Sequence, residues 1–206
     1  MSRLLIIGAG GHGKVVADVA EQMGSWSTIE FTDARFPELS TCEHWPVVAK
    51  HPSELSEEYL GSDFIVAIGN NSQRLKNYYE IKCQGFKPVT VIHPSAVVSE
   101  YSRIGKGVVI FAGVVINVAT VVEDACIINT GATVDHDCTL KRGAHISPGA
   151  HLGGEVEVGE RSWVGIGAIV KQVITIGSDV IVGAGAVVVS DVQPEITVVG
   201  VPAKPV

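Results

Sequence analysis

One short segment in the second half of the chain combines residues that can move a proton. Asp135, His136 and Asp137 follow one another, and Cys138 comes next. A histidine titrates near neutral pH, and a carboxylate hydrogen-bonded to one ring nitrogen fixes its tautomer and stabilises the imidazolium that forms. The two flanking acids favour a general base at His136 over a solvated surface histidine. The sequence leaves open which of the two carboxylates orients the ring.

A second cluster suited to chemistry lies near the N-terminus. Residues 4–7 form a short apolar run that ends in the glycine-rich residues 8–13, and residues 14–23 have helical periodicity. A second strand is predicted at Thr28–Thr32 and ends in Asp33, twenty residues after Gly13. This order is typical of a turn whose backbone N–H groups bind a pyrophosphate while the acid takes a hydroxyl of the sugar or base.

The remaining elements of this region limit the kind of nucleotide. A third strand is predicted over residues 63–68, a turn and helix N-cap over 69–72, and a helix from Gln73 to about Cys83. About 90 residues supply one βαβαβ mononucleotide half, whereas a dinucleotide usually bridges two halves. A nucleoside diphosphate carrying a small group therefore fits better than NAD, and a glycine turn that merely joins strand to helix stays open as an alternative.

The rest of the chain is periodic. Every sixth residue from Ile92 to Val188 is aliphatic, seventeen in all, and the residue four positions after each is small or apolar. A period of six fits a parallel β-helix, in which each six-residue unit, here called a hexad, forms one side of a triangular coil. We expect the aliphatic residues to point inward. We also expect corner turns to require the glycines that directly follow them, which are Gly105, Gly153, Gly159, Gly165, Gly177 and Gly183.

Composition excludes several classes of protein. The formal charge of −7 and pI near 5.4 argue against nucleic acid as a partner. The most apolar stretch, residues 108–116, is too short for a membrane span of ~20 residues, and the N-terminus lacks the apolar core of a signal peptide. Four well-separated cysteines predict neither a metal site nor a disulfide scaffold. We therefore expect a cytoplasmic protein that does not contact a membrane.

Taken in order, the motifs resemble a known family. They are the glycine turn, Ala-Ile-Gly-Asn-Asn at 67–71, Ile-Asn-Thr at 128–130, Asp-His-Asp-Cys at 135–138, the hexads and Gly-Val-Pro-Ala-Lys at 200–204. Over essentially the whole chain they resemble bacterial nucleotide-sugar acetyltransferases of the left-handed β-helix, or hexapeptide-repeat, superfamily, a group that includes sialic acid O-acetyltransferases. Within it, the likeness is greatest to enzymes that N-acetylate UDP-4-amino sugars of the bacillosamine type.

The resemblance implies a fold and partners. A Rossmann-like βαβαβ domain over residues 1–91 would bind the nucleotide sugar, a left-handed parallel β-helix would cover 92–193, and a C-terminal tail would cover 194–206. Acetyl-CoA is implied as co-substrate, with no permanently bound cofactor and no metal. A homotrimer with active sites between neighbours is implied as well.

The resemblance also implies site residues. His136 corresponds to the catalytic base, with Asp137 raising its basicity, although the family often has Glu on either side of this histidine. Acetyl-CoA contacts are expected at His145, Gly154 and Ile166, and Lys204 suits a CoA phosphate. The sugar-nucleotide contacts are expected at Ala9, Gly10, Gly11, His12, Asp33, Ile68, Gly69 and Asn70.

The function implied is acetyl transfer to the 4-amino group of a UDP-4-amino-4,6-dideoxy sugar in bacterial glycan biosynthesis. A base makes the amine neutral, and the absence of a nucleophilic Ser or Cys motif favours direct attack over an acyl-enzyme. Three alternatives stay open: O-acetylation of a sialic-acid-type sugar, N-acetylation of a GDP-amino sugar, and a non-catalytic, nucleotide-sensing trimeric scaffold. The donor that stabilises the oxyanion is either a backbone N–H or a side chain such as His145. His151 is expected to be a surface residue.

Overall fold

The computed structural model describes residues 2–206 and consists of two compact units, one ending at Pro94 and the next beginning at Ser95. No helix within these residues is long and apolar enough to cross a bilayer.

The first unit is a six-stranded sheet with two α-helices. Its elements are β1 (Arg3–Ile7), α1 (Gly11–Met23), β2 (Thr28–Thr32), β3 (Thr41–Cys42), β4 (Trp45–Ala49), β5 (Asp63–Val66), α2 (Asn71–Cys83) and β6 (Lys87–Pro88). A further short strand, Val91–Ile92, follows β6 and is not part of this sheet. The sheet has the order β3-β4-β2-β1-β5-β6 and is parallel except for the β3–β4 hairpin. Strand β1 lies at its centre, and Leu4, Leu5 and Ile6 are fully buried. This is the Rossmann-like arrangement that the sequence predicts.

The hairpin β3–β4 was not predicted from the sequence. Strand β4 extends the sheet beyond β2, and two 3₁₀ helices, Pro52–Glu54 and Glu57–Tyr59, lead from it to β5. Pro46 within β4 obscured the strand pattern, because proline is tolerated only where its missing N–H is not required. Strand β5 ends two residues earlier than predicted, and α2 begins at Asn71 because the Asn70 side chain accepts a hydrogen bond from the Gln73 N–H.

The second unit is a parallel β-helix with three faces, in which strands as far as Val187–Val188 pair with the strand 18 residues further on. In the last parallel pairing, Ile181 lies opposite Thr197, 16 residues further on. Face 1 contains Val109–Ile110, Ile127–Ile128, His145–Ile146, Trp163–Val164, Ile181–Val182 and Thr197–Val199. Face 2 contains Val97–Val98, Val115–Ile116, Thr133–Val134, His151–Leu152, Ile169–Val170 and Val187–Val188. Face 3 contains Arg103–Ile104, Val121–Val122, Thr139–Leu140, Glu157–Val158 and Thr175–Ile176.

The interior follows the hexads. Every aliphatic hexad residue from Ile110 to Val188 is buried. The small position holds Cys126 and Cys138, both with no exposed surface. Burial raises the pKa of the Cys138 thiol to about 11, and its Sγ donates to the Gly153 carbonyl at 3.2 Å. Both cysteines therefore fill the core, as predicted, and their thiols are poor nucleophiles.

The reason predicted for the corner glycines is wrong. Left-handed backbone occurs three residues after each hexad aliphatic from Ile104 to Val182, for example at Gly131 (φ +67°) and Asp137 (φ +59°), rather than directly after it. The six glycines that directly follow an aliphatic are needed for close approach between coils. A Cβ added at Gly159 would lie 2.4 Å from the Gly177 carbonyl carbon and 2.5 Å from the Ser178 nitrogen. These positions exclude side chains because the backbone of the next coil occupies the space.

We expect Gly159→Ala to destabilise the fold by about 3 kcal/mol, because the clashing atoms are backbone atoms held by the ladder of the β-helix. Gly131→Ala is the matched control, since its Cβ meets nothing within 4 Å and the change adds only left-handed strain of about 1 kcal/mol. Thermal unfolding of both variants measures the difference. Equal losses in Tm would contradict the close-approach explanation.

The C-terminal residues extend the β-helix before turning back. Thr197–Val199 pairs in parallel with Ile181–Val182, and Lys204–Pro205 returns antiparallel to Val198 and Val199. The predicted tail therefore contributes one more strand to face 1 before the chain leaves the repeat.

Candidate active site

His136 lies at the corner between face 2 and face 3. Its Nδ1 is 2.8 Å from Oδ2 of Asp137, and its side chain is 50% exposed. Because Nδ1–H donates to this carboxylate, the lone pair of the imidazole lies on Nε2. The left-handed backbone of Asp137 places a carboxylate beside the ring of the preceding residue. The pair is arranged as a base and the acid that orients it.

Asp135 contacts the backbone of His136 instead of its ring. Its Oδ1 accepts from the His136 N–H at 2.9 Å and from Asn117 Nδ2, one coil earlier, also at 2.9 Å. The hydrogen bond from Asn117 is the main reason why the pKa of Asp135 is lowered. The two acids therefore have different contacts: Asp137 orients the ring, and Asp135 fixes the corner that carries it.

The pKa of His136 is raised above its usual 6.5, mainly by the hydrogen bond to Asp137 and then by the negative charge of Asp135, with Glu155 acting in the same direction. A general base must be neutral to accept a proton, so activity that depends on His136 rises as the pH passes upward through this raised pKa.

We expect Asp137→Asn to shift the acidic limb of kcat/KM to lower pH, because the main cause of the raised pKa is removed. The plateau value of kcat/KM should fall roughly 10-fold or more, because no carboxylate then fixes the tautomer of His136 or stabilises its imidazolium. Asp135→Asn is the comparison variant and should shift the limb less, since Asp135 acts on the ring only through its charge. An unchanged pH profile in Asp137→Asn would exclude His136 as the titrating base.

Gly154 lies directly against the His136 ring. A Cβ added at Gly154 would lie 2.6 Å from both Nε2 and Cε1 of that ring. Gly154 is predicted from the sequence to contact acetyl-CoA, and its contact with the histidine was not predicted. The two residues are one coil apart, so the 18-residue spacing was the signal that could have linked them.

His145 belongs to a separate cluster on face 1. It is 7% exposed and stacks on Trp163 with ring centroids 5.5 Å apart and planes 4° from parallel. Asn129 Nδ2 donates to its Nε2 at 3.2 Å, and Trp163 Nε1 donates to Ser147 Oγ at 2.5 Å. Sequence reasoning assigned no role to Asn129, Ser147 or Trp163, although Trp163 is one coil after His145.

Of the predicted acetyl-CoA residues, a single chain brings only Gly154 to His136. The exposed Ile166 lies at the corner between faces 1 and 2, His145 lies on face 1, and Lys204 lies exposed in the last strand of that sheet. His136 lies at the corner between faces 2 and 3. One chain therefore carries the proposed base and these residues on different sides of the β-helix.

In the glycine turn of the first unit, the central glycines have free space beside them, whereas the glycines at the two ends are closely packed. A Cβ at Gly13 would lie 2.1 Å from the Gly8 carbonyl oxygen, so helix and strand pack closely there. A Cβ at Gly10 or Gly11 would meet nothing within 4 Å. Helix α1 begins at Gly11 without a side-chain cap and without an acidic residue in its first turn. This helix start can accept an anionic group.

Hydrogen bonds from its own chain occupy both carboxylate oxygens of Asp33. Its Oδ2 accepts from Ala9 N–H at 2.8 Å and from one Arg35 guanidinium nitrogen at 2.9 Å, and its Oδ1 accepts from Arg35 Nε at 2.7 Å and Arg35 N–H at 3.0 Å. These four bonds fill the acceptor capacity of a carboxylate. Mainly because of Arg35, the pKa of Asp33 is lowered to about 2. The side chain that extends from this point into solvent is Arg35, 59% exposed, which sequence reasoning missed.

The predicted segment 68–70 is held by a buried arginine. Arg74 is 1% exposed and donates to the carbonyls of Ile68 and Gly69 at 3.0 and 3.1 Å and to Asn71 Oδ1 at 2.8 Å. The pKa of His12 is lowered to about 4, first by burial and then by the positive charge of Arg74. His12 is therefore neutral at physiological pH.

Comparisons with known proteins agree with this architecture. Residues 3–81 match the PglD N-terminal domain family. UDP-N-acetylbacillosamine N-acetyltransferase of Bacillus subtilis (strain 168) is 36% identical over 113 residues, which are 54% of this chain and 52% of that protein. The match thus spans about half the length of this curated relative.

Solved structures match over the whole chain. The acetyltransferase domain of PglB from Neisseria gonorrhoeae FA1090 has a TM-score of 0.95 and 44% identity over 100% of both chains, and it is also solved with acetyl coenzyme A. The chain belongs to this family of acetyl-CoA-dependent sugar N-acetyltransferases. A second such acetyltransferase, PerB from Caulobacter crescentus in complex with CoA and GDP-perosamine, has a TM-score of 0.90 and 42% identity over 100% of this chain and 98% of that one. The predicted fold, a Rossmann-like domain followed by a left-handed β-helix, is confirmed for this acetyltransferase.

Proposed function

We propose that this protein transfers the acetyl group of acetyl-CoA to the 4-amino group of a UDP-4-amino-4,6-dideoxy sugar, with His136 as the general base. The observation that carries the proposal is the His136–Asp137 pair, in which Asp137 holds Nδ1 and leaves Nε2 as the proton acceptor. The relative from Bacillus subtilis, named for a UDP-linked amino sugar, supports the choice of substrate.

The reaction proceeds by direct attack. His136 Nε2 accepts a proton from the sugar amine as its nitrogen forms a bond to the thioester carbonyl carbon. The tetrahedral intermediate then collapses, the carbon–sulfur bond breaks, and the CoA sulfur leaves as it takes the proton back from the His136 imidazolium, which returns the base to its neutral form. Asp137 stabilises the imidazolium that exists between these steps. The buried, high-pKa Cys138 beside this segment does not suit an acyl-enzyme.

The nucleotide sugar is assigned to the first unit. The open turn at Gly10 and Gly11 suits the diphosphate, as proposed for Ala9 to His12, and the segment Ile68 to Asn70 borders the same sheet edge. The four hydrogen bonds to Asp33 refine its proposed role: it holds the turn through the Ala9 N–H, and Arg35 presents donors to the ligand.

Gly154 lies beside His136 in the same chain, whereas acetyl-CoA binding that also uses His145, Ile166 and Lys204 requires a second copy of the chain. His136 and the residues on face 1 lie on different sides of one β-helix, so a site made of both needs two neighbouring chains, as in the proposed homotrimer. We expect His136→Ala and His145→Ala each to lose activity on its own, and a mixture of the two chains to restore part of it, since some interfaces then carry both native histidines. Failure of every mixture to regain activity would contradict a shared site.

A second candidate is N-acetylation of a GDP-linked amino sugar, which the likeness to the PerB complex with GDP-perosamine favours. The deciding experiment incubates the protein with acetyl-CoA and a panel of UDP- and GDP-linked amino sugars, with a sialic acid as the hydroxyl acceptor, and follows release of the CoA thiol. The fastest turnover is expected with a UDP-4-amino sugar. Absence of thiol release with every amino sugar would overturn the proposal and favour a non-catalytic scaffold. UDP should also raise the Tm more than NAD does.

A further inference from the structure

The buried guanidinium of Arg74 joins two segments that are distant in sequence. It lies in the first turns of α2 and is 1% exposed, although removing a charge from water is costly unless hydrogen bonds compensate for it. Its hydrogen bonds to the carbonyls of Ile68 and Gly69 fix the turn after β5. Its bond to Asn71 Oδ1 ties the same guanidinium to the start of the helix.

The second segment is the glycine turn. Strands β1 and β5 are parallel neighbours, with Ile7 opposite Val66, so the turns that follow them lie at the same edge of the sheet. The positive charge of Arg74 also helps to lower the pKa of His12, which lies in the glycine turn. Ligands of open parallel sheets bind at this edge, outside the carboxyl ends of the strands.

The chemistry of the position points to an anion. A positive charge removed from water acts more strongly on a nearby charge than an exposed one does, because solvent screens it less. The planar guanidinium can also hold two carbonyls and an amide in fixed directions, which a lysine cannot do.

We propose that Arg74 is a positioning residue for the nucleoside diphosphate, which fixes the turn at residues 68–70 and supplies buried positive charge beneath the diphosphate site. This inference rests on the proposed function, because it assigns the nucleotide sugar to that edge. It adds a residue that acts through its neighbours and does not itself have to touch the ligand.

The test compares two substitutions that separate charge from geometry. Arg74→Met removes both and should raise the KM for the nucleotide sugar roughly 10- to 100-fold, with kcat within a few-fold and the KM for acetyl-CoA unchanged. Arg74→Lys keeps the positive charge but loses the planar guanidinium that bonds the two carbonyls and the amide. Its KM for the nucleotide sugar should therefore lie between those of the native protein and Arg74→Met. Lys76→Met, an exposed lysine on the same helix, is the matched control and should leave all constants unchanged.

The titration of His12, followed by NMR, separates this role from a merely structural one. In Arg74→Met the pKa of His12 should rise and stay below its usual value, because burial is the larger cause of its lowering. In Arg74→Lys it should stay near its native value. If Arg74→Met does not fold, an unchanged affinity for UDP in Arg74→Lys overturns the proposal.

The same measurements distinguish the two proposals. If the native protein acetylates amino sugars and Arg74→Met keeps the native KM for the nucleotide sugar, the role of Arg74 is overturned and the proposed function stands. If the native protein acetylates none, the proposed function fails. Binding of UDP to the native protein and to both variants, measured by calorimetry, then still decides the role of Arg74: a 10- to 100-fold weaker affinity in Arg74→Met supports it, and equal affinities overturn it.

Discussion

His136→Ala is expected to lower kcat by about 10³-fold while acetyl-CoA still binds. The substitution removes the nitrogen that we propose accepts the proton of the amine, and it leaves Asp137 without a ring to hydrogen-bond. The side chain is 50% exposed and takes no part in the core, so the fold should be unaffected. Release of the CoA thiol measures turnover, and calorimetry measures the affinity for acetyl-CoA.

His151→Ala is the control for this prediction. His151 is also an exposed histidine of the β-helix, and its Nδ1 lies 2.9 Å from Thr133 Oγ1, a hydroxyl rather than a carboxylate. Its loss should leave kcat unchanged. If His136→Ala kept native turnover, the base would have to be another group and the direct-attack mechanism would need a different proton acceptor.

Gly154→Ala is expected to lower kcat by about 10²-fold with the fold preserved. The new methyl group would lie 2.6 Å from His136 Nε2, and the ring is the part that can move, because hydrogen bonds in the ladder hold the backbone at Gly154. The ring then leaves its position beside Asp137. The effect should appear in kcat and in the pH profile more than in Tm.

Gly149→Ala serves as the control for Gly154→Ala. Gly149 has a φ of +63° and a Cβ there would meet nothing within 4 Å, so the change should lower Tm through backbone strain and leave kcat alone. Native activity in Gly154→Ala would mean that the ring position seen here is not the one used in catalysis.

The β-helix could be predicted almost completely from the sequence. A period of six repeats from Ile92 to Val188 without interruption, and the inward aliphatic positions were correctly identified from Ile110 onward. The reason for the glycines could not be found this way. Whether a glycine permits a left-handed turn or a close backbone contact depends on the neighbouring coil, which the local sequence does not contain.

The candidate sites were predictable only in part. The acids beside His136 were recognised, but their separate contacts depend on the left-handed backbone of Asp137 and on Asn117, one coil away. Arg74 was missed because an arginine is expected to be exposed, and only tertiary contacts reveal its burial. Arg35 is exposed as expected, but its hydrogen bonds to Asp33 appear only in the structure.

The 18-residue spacing of the coils restricts how this chain can change in length. Deleting or inserting one hexad would move every later aliphatic residue to another face, yet the core would still be filled with aliphatic side chains. The outward partners would not survive a change between them: a hexad changed between His136 and Gly154 separates those two residues, and one changed between His145 and Trp163 separates that pair. The interior thus tolerates insertion or deletion of six residues. The functional surface tolerates insertion or deletion only of whole coils, and only at places that do not separate these pairs.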